Sequence, residues 1–143
     1  MWAIDEEHAP LYWFPRDCPR VTVWSRAPGE LAEFQTRFTT TASRVHAIET
    51  GWLGRMRETT IYRYVFDADR FVQWEDASGQ WISDSDVVPL SVAPMGDLLM
   101  AHADASIELR VVPSLWPLHD LVLQCDFDFS MVRMLNALPR SPS

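Results

Sequence analysis

Residues 2–24 read WAIDEEHAPLYWFPRDCPRVTVW, a run in which short extended pieces alternate with turns and proline breaks. Residues 2–4 predict the end of a strand, Pro10 and Pro15 bracket a short helix that includes Phe14, and Arg20–Trp24 alternates as a strand. The run also holds three of the seven tryptophans, one of the two cysteines and one of the four histidines. We therefore expect a functional site, if there is one, to include this segment.

The composition is that of a single globular domain, with 143 residues of which 48% are apolar and 22% charged. The formal net charge is −8, from 12 basic and 20 acidic residues, and every basic residue is Arg because the sequence contains no Lys. An acidic protein repels phosphate groups, so we predict no nucleic-acid partner and no membrane partner. The apolar runs are far shorter than the roughly 20 residues that cross a bilayer.

The cellular location that the sequence predicts is cytoplasmic. No basic region followed by an apolar run opens the chain, so no signal peptide is visible. Cys18 and Cys125 lie too far apart in the sequence to suggest a metal knuckle or a redox pair, and we interpret them as reduced thiols. A disulfide between them is the alternative.

The hydrophobic spacing predicts an α+β fold. Leu31, Phe34, Gln35 and Phe38 have helical spacing, and further helices are expected near Trp52, after Gly96 and from an N-cap at Ser114. The predicted strands are Arg44–Glu49, Thr60–Asp67, a loose hairpin of Phe71–Trp74 with Gln80–Ser83, Ile107–Val112 and a closing strand near Phe129, with Val87–Val92 as an edge strand or loop. We predict one domain over residues 1–138 with a mixed, mostly antiparallel sheet and several short helices, followed by a disordered tail at 139–143.

Several classes of site have no motif in this sequence. The five glycines form no dinucleotide-binding, phosphate-binding or hydrolase-elbow pattern. No pair of histidines or cysteines has metal-ligand spacing, so we predict no metal site. A Schiff-base lysine and a phosphate-binding lysine are excluded because the chain has no Lys.

The run Arg16-Asp17-Cys18-Pro19-Arg20 is the first candidate site. Two guanidinium groups so close in sequence suit a small anionic ligand with a phosphate or carboxylate group, because their planar fork matches those oxygens. The alternative is a structural connector in which Asp17 pairs with one arginine. Cys18 between two arginines is either a thiol of lowered pKa or a buried free cysteine.

The other candidates are polar or aromatic groups with a structural alternative. Asp5–His8 gathers three acids and a histidine, which suits acid–base chemistry or a solvated turn. Residues 12–14 form either a stacking wall or part of the core. His46 and Glu49 are polar residues on an apolar strand whose alternation points them to opposite faces. Without assigning a catalytic residue, we predict these ligand-binding residues: Trp2, His8, Tyr12, Arg16, Asp17, Arg20, His46 and Glu49.

Four motifs resemble an uncharacterised bacterial family, a domain of unknown function, over nearly the whole chain. They are WAIDEEHxPxY at 2–12, PRDCPRV at 15–21, RVHAIE at 44–49 and IELRVVPxLWPL at 107–118. The resemblance implies that the family begins with a further strand bearing a His-x-Ser-like motif, and this sequence starts after that point.

A fainter similarity is to small ADP-ribosyltransferase-like domains. It rests on Trp2-Ala3 at a strand end, on Tyr12 and on the course of residues 62–90. The resemblance implies an ADP-ribosyltransferase-like fold without the N-terminal strand, and NAD as cofactor. In such a domain Trp2 and Tyr12 would cradle nicotinamide and a late Glu would serve catalysis.

The sequence leaves two functions open. The first is a non-catalytic interaction or structural protein without a cofactor, in which exposed tryptophans form a surface for a protein partner. The alternative is an ADP-ribosyltransferase-like enzyme that binds NAD or another nucleotide. Buried tryptophans and the absence of an exposed apolar patch would weaken the first hypothesis.

Overall fold

The computed structural model describes residues 1–74 and 79–141. The strands are β1 (Trp2–Ile4), β2 (Arg20–Trp24), β3 (Arg44–Glu49), β4 (Tyr62–Val65), β5 (Val72–Gln73), β6 (Gln80–Ile82), β7 (Ser91–Pro94), β8 (Glu108–Val112) and β9 (Asp128–Val132). The α-helices are α1 (Leu31–Phe38), α2 (Leu53–Glu58), α3 (Leu98–Asp104) and α4 (Trp116–Leu123). Short 3-10 helices lie at Ala9–Tyr12, Pro28–Glu30, Thr50–Trp52, Ala68–Arg70 and Met134–Asn136. None of the helices in the described ranges has the length and hydropathy needed to cross a membrane.

The strands form three separate sheets in the described part of the chain. A central sheet has the order β8-β3-β2-β9, an outer sheet has the order β1-β6-β5, and β4 pairs with β7. All pairs are antiparallel except β3 with β8. The predicted α+β class and the mixed, mostly antiparallel pairing are confirmed, and the strands divide among three sheets. Strands of two to six residues between prolines and turns carry no signal for which sheet they join.

The central sheet separates two hydrophobic cores. One face carries Val21, Val23, Val45 and Ala47, which pack with Phe34 and Phe38 of α1 and with Leu115 and Val122 of α4. Ile48 lies on the opposite face, where it packs with Phe14 and Cys18 of the segment before β2, with Met56 of α2 and with Leu98 of α3. Residues 2–19 thus lie over one face of the central sheet, and the site described below lies there.

The local predictions hold for most elements, and three details differ. The first helix is a 3-10 turn that ends at Tyr12 and excludes Phe14, since the residue before a proline is pushed out of the helical region. The N-cap of α4 is Leu115, while Ser114 accepts from the Trp116 amide one position earlier. The strand predicted near 87–92 forms at Ser91–Pro94 instead, beyond Pro89. The disordered tail at 139–143 stays a prediction; within it, Arg140 donates to both carboxylate oxygens of Asp120 at 2.8 and 2.9 Å.

The predicted hairpin is confirmed as β5 paired with β6, with Val72 opposite Ile82. Residues 76–78 of its predicted connection Asp76–Gly79, like tail residues 142–143, lie outside the described residues. Gly79 enters β6 with φ of +77°, and its carbonyl accepts from the Asp5 amide at 2.8 Å. A Cβ built on Gly79 would lie 2.4 Å from Nδ1 of His8. This position therefore requires glycine for its conformation and for space.

Gly79→Ala is expected to lower the free energy of unfolding by about 2 kcal/mol, because a side chain there adopts a left-handed conformation and collides with the His8 ring. Urea denaturation measures the effect. The matched control is Gly54→Ala in α2, where a Cβ meets no atom within 4 Å. That change should raise stability by about 0.5–1 kcal/mol through helix propensity. Equal effects of the two substitutions would contradict the prediction.

Candidate functional site

An exposed aromatic surface lies on the outer sheet. Trp2 and Val72 are both cross-strand neighbours of Ile82, so their side chains share one face. Trp2 is 61% exposed and Val72 is 65% exposed. The Trp74 ring, 40% exposed, lies edge-on to the Trp2 ring with 5.5 Å between centroids. We call Trp2, Val72 and Trp74 the aromatic face.

Acidic segments flank, along the chain, the strands that carry the aromatic face. They follow β1, precede β5 and follow β6, and their acids are Asp5, Glu6, Glu7, Asp67, Asp69, Asp84 and Asp86. All are exposed except Asp5, which is half-buried, and Arg70 is the arginine within these segments. The aromatic face is therefore apolar, and we call the acids that flank its strands along the chain its border.

A cavity of 340 Å³ lies between the central sheet and the segment that covers it. The register of β2 with β9 pairs Trp24 with Asp128, so these two side chains and Ser130 point to the same, covered face of the sheet. Tyr12 lines the cavity from the covering segment, and Gln80 does so from β6. The Gln80 amide donates to Tyr12 Oη at 3.2 Å. The cavity thus combines aromatic walls with a carboxylate, a hydroxyl and an amide.

Arg20 lies beside this cavity, behind the Tyr12 ring. Its side chain is 4% exposed, and its guanidinium carbon lies 5.7 Å from the Tyr12 ring centroid and 5.0 Å from that of Phe14. NH1 donates to the Cys18 carbonyl at 3.1 Å, while buried Nε has no partner among the described residues. Burial lowers the pKa of Arg20, and the charge of Arg133 lowers it further. Stacking on two rings, rather than a carboxylate, holds this cation in the described structure.

His46 forms a buried pair with His102 of α3. Nδ1 of His46 lies 2.9 Å from Nε2 of His102, and Nδ1 of His102 lies 2.8 Å from the Leu98 carbonyl. A carbonyl only accepts, so His102 Nδ1 carries a proton and its Nε2 accepts from His46 Nδ1. His46 Nε2 is then a bare lone pair, buried and without a partner in the described part of the chain.

The pair is kept neutral by its surroundings. His46 is 0% exposed and His102 is 1% exposed. Burial, and then the charge of His102, Arg44 and Arg20, lower the pKa of His46 well below 6.5. Burial also lowers the pKa of His102. The Phe14 ring packs on both imidazoles, at 5.5 and 5.2 Å between centroids.

Glu49 has a structural position on the opposite face of the sheet. Its carboxylate is 2% exposed and accepts from the Leu115 amide at 3.2 Å and from the Leu138 amide at 2.9 Å. It therefore ties β3 to the start of α4 and to the C-terminal segment. The sequence correctly separated Glu49 from His46, which the alternation of β3 sends to the other face.

The predicted anion-binding arginines have different environments. Arg16 and Asp17 are exposed, whereas Arg20 is buried on β2. Asp17 forms no ion pair among the described residues, and its carbonyl accepts from Asn136 at 2.8 Å. Burial raises the pKa of the Cys18 thiol to about 12, which opposes a nucleophilic role. Cys18 and Cys125 are both free.

The remaining predicted residues divide between the two surfaces. His8 Nδ1 lies 2.7 Å from Asp5 Oδ1, and its ring packs edge-on against Trp24. Tyr12 lines the cavity, whereas Trp2 belongs to the aromatic face and not to the cavity lining. The two aromatic side chains predicted to cradle nicotinamide therefore do not line this cavity together.

Sequence reasoning missed three residues of this region: Trp24, His102 and Asp128. Alternation along β2 placed Trp24 on a strand but not over a cavity. The one signal for His102 was its place among the apolar positions of α3, beside Leu98 and Leu99. No group of three side chains suited to holding a metal ion occurs in the described ranges.

Comparisons with known proteins identify the family of this chain. No curated protein and no solved structure matches it, so the similarity to ADP-ribosyltransferase-like domains and the NAD cofactor stay predictions. A family model matches residues 1–137, nearly the whole sequence. This match confirms the predicted resemblance to a domain of unknown function. The chain belongs to the family of unknown function DUF6886.

Proposed function

We propose that this chain is a non-catalytic interaction domain that binds a protein partner through the aromatic face. The contact between Trp2 and Trp74, left 61% and 40% exposed beside Val72, carries the proposal. Water-exposed tryptophans in one patch are the residues that supply most of the binding energy in protein interfaces.

The border of the aromatic face defines the partner as a basic protein segment with apolar side chains. Exposed acids flank the strands of this face along the chain, and the chain carries a net charge of −8. Like charges disfavour a second copy of this chain on the same surface. Arginine or lysine side chains of a partner would pair with the acids and stack on the indole rings.

The test uses two synthetic peptides, one of alternating Arg and Leu and one of alternating Glu and Leu, in calorimetric titrations at low and high salt. We expect only the Arg peptide to bind, and more weakly at high salt. Trp2→Ala and Trp74→Ala should each lower its affinity at least tenfold. Tyr62→Ala is the matched control, because Tyr62 is also 58% exposed but lies on β4 of another sheet.

Three results would overturn the proposal. They are the absence of binding by a folded protein, binding that Trp2→Ala and Trp74→Ala leave intact, and a dimer in sedimentation velocity that Trp2→Ala abolishes. In the last case the aromatic face is covered by a second copy of the chain.

As a second proposal, the chain is an ADP-ribosyltransferase-like enzyme that binds NAD. Its support is the position of Tyr12 on the wall of the cavity. NAD or ADP-ribose should then raise the thermal midpoint of the wild type and not of Tyr12→Ala. Unchanged midpoints at millimolar ligand would remove this alternative.

A further inference from the structure

We propose that the cavity beneath Tyr12 is a binding site for a small planar heteroaromatic molecule. The molecule carries an N–H or NH2 group that donates a hydrogen bond to the Asp128 carboxylate. The cavity shares no lining residue with the aromatic face, although Ile4 and Gln80 line it from the same face of the outer sheet, and the site does not depend on a protein partner. A volume of 340 Å³ lies within the range of small-molecule pockets.

The walls of the cavity favour a flat ring. Tyr12 approaches from the covering segment and Trp24 from the sheet, and Phe127 and Phe129 lie at the border. Aromatic side chains bind flat rings by stacking, with little dependence on the substituents of the ring. Tyr12 is held in place by Gln80, which donates to its hydroxyl, and by Arg20, which stacks on its ring. The upper wall is thus positioned before a ligand arrives.

Asp128 determines the polarity of the ligand. Its side chain is 29% exposed and lies beside Trp24, on the cavity side of the edge strand β9. Its nearest cation among the described residues is Arg26, whose Nε lies 3.6 Å from Oδ2 and whose side chain is 77% exposed. This distance is longer than a hydrogen bond. The carboxylate therefore retains acceptor capacity toward the cavity, and a ligand must offer a donor to use it.

A carboxylate at this position selects among planar molecules. A ring with an amino group next to a ring N–H offers two parallel donors to the two oxygens of the carboxylate. Such a paired hydrogen bond is stronger than a single one, whether the ring is neutral or cationic. A planar anion such as benzoate would be repelled. A ring without a donor that covered the Asp128 carboxylate would leave it desolvated and unpaired, which is costly. Ser130 and Gln80 add a hydroxyl and an amide for further groups of the ligand.

The experiment is isothermal titration calorimetry at pH 8 with two benzimidazoles of similar shape and with benzoate as a planar anion. We expect 2-aminobenzimidazole to bind, and 1,2-dimethylbenzimidazole, which lacks an N–H donor, and benzoate to bind at least tenfold more weakly. Adenosine is added as a fourth molecule, to test whether a nucleobase with an attached sugar fits the same site. Adenosine binding that competes with 2-aminobenzimidazole supports a nucleoside as the ligand. Its failure to bind assigns the site to smaller rings and leaves the class unchanged.

Variants locate the binding. Asp128→Asn keeps the shape of the side chain and should weaken 2-aminobenzimidazole at least tenfold while leaving 1,2-dimethylbenzimidazole unchanged. Tyr12→Ala should weaken the ligand about tenfold through lost stacking. Tyr64→Ala, on β4 and outside the cavity lining, is the control and should have no effect. The proposal fails if the folded wild type does not bind 2-aminobenzimidazole. It also fails if the molecule without a donor binds equally well, or if Asp128→Asn binds like the wild type.

Discussion

Replacing Glu49 with alanine is expected to lower the free energy of unfolding by about 3 kcal/mol. The Glu49 carboxylate accepts hydrogen bonds from the amides of Leu115 and Leu138. Alanine at position 49 would leave both amides without this acceptor. Each buried donor that loses its acceptor costs about 1–3 kcal/mol. Leu115 is also the N-cap of α4, where a negative charge is favoured by the helix dipole. Urea denaturation, followed by far-UV circular dichroism, measures the loss.

Two further variants distinguish this role from a general effect of charge. Glu49→Gln keeps the length and one acceptor oxygen, so we expect about half the loss. Glu58→Ala removes an exposed acid at the end of α2 and should change stability by less than about 0.5 kcal/mol. If Glu49→Ala and Glu58→Ala had similar effects, Glu49 would not tie β3 to α4. If Glu49→Ala lost ligand binding without losing stability, the prediction of Glu49 as a ligand-binding residue would be supported instead.

Local structure was predictable here because its causes are local. The spacing of Phe34 and Phe38 predicted α1, and the alternation of Arg20–Trp24 and Arg44–Glu49 predicted two strands of the central sheet. Proline positions explained both the end of the first short helix and the late start of β7. The same alternation correctly sent His46 and Glu49 to opposite faces.

Contacts between distant segments were not predictable, because single-residue patterns carry no information about partners. His46 and His102 are 56 residues apart, and Glu49 contacts amides 66 and 89 residues away. The cavity depends on the register that pairs Trp24 with Asp128, and on a covering segment from the other end of the chain. A site within residues 2–24 stays a prediction; the structure places Trp2 on the aromatic face and Tyr12 on the wall of the cavity. The sequence did not predict that Trp2 and Tyr12 belong to different surfaces.

Lowering the pH from 7.5 to 5.0 is expected to reduce the free energy of unfolding by about 3 kcal/mol through the His46–His102 pair. Burial lowers the pKa of both imidazoles in the folded state, that of His46 well below 6.5. In the unfolded chain both titrate near pH 6.5, so the unfolded state binds more protons as the pH falls below that value. Stability is therefore complete above about pH 7 and declines through the window below 6.5.

The surroundings of the pair explain why the folded state does not take up the proton. The charged groups that act on His46 are Arg44 on β3 and Arg20 on β2, both cations. From α3 it meets His102, whose other nitrogen already donates to the Leu98 carbonyl, and Phe14 packs on both rings. A proton on His46 Nε2 would have no acceptor among the described residues. The charge that it adds would be repelled by the two arginines and would not be balanced by His102 or Phe14.

Urea denaturation at pH 7.5, 6.5, 5.5 and 5.0 tests this prediction with two variants. His102→Met removes one of the two buried imidazoles and should reduce the change with pH by about half, whatever its effect at pH 7.5. His119→Gln, next to Asp120 and away from the pair, should leave the change with pH as in the wild type. A wild-type stability that is constant between pH 7.5 and 5.0 would mean that the folded protein protonates these histidines. The segment from Tyr12 to Phe14 would then have to move off the imidazoles, and Tyr12 would leave the cavity at the same pH.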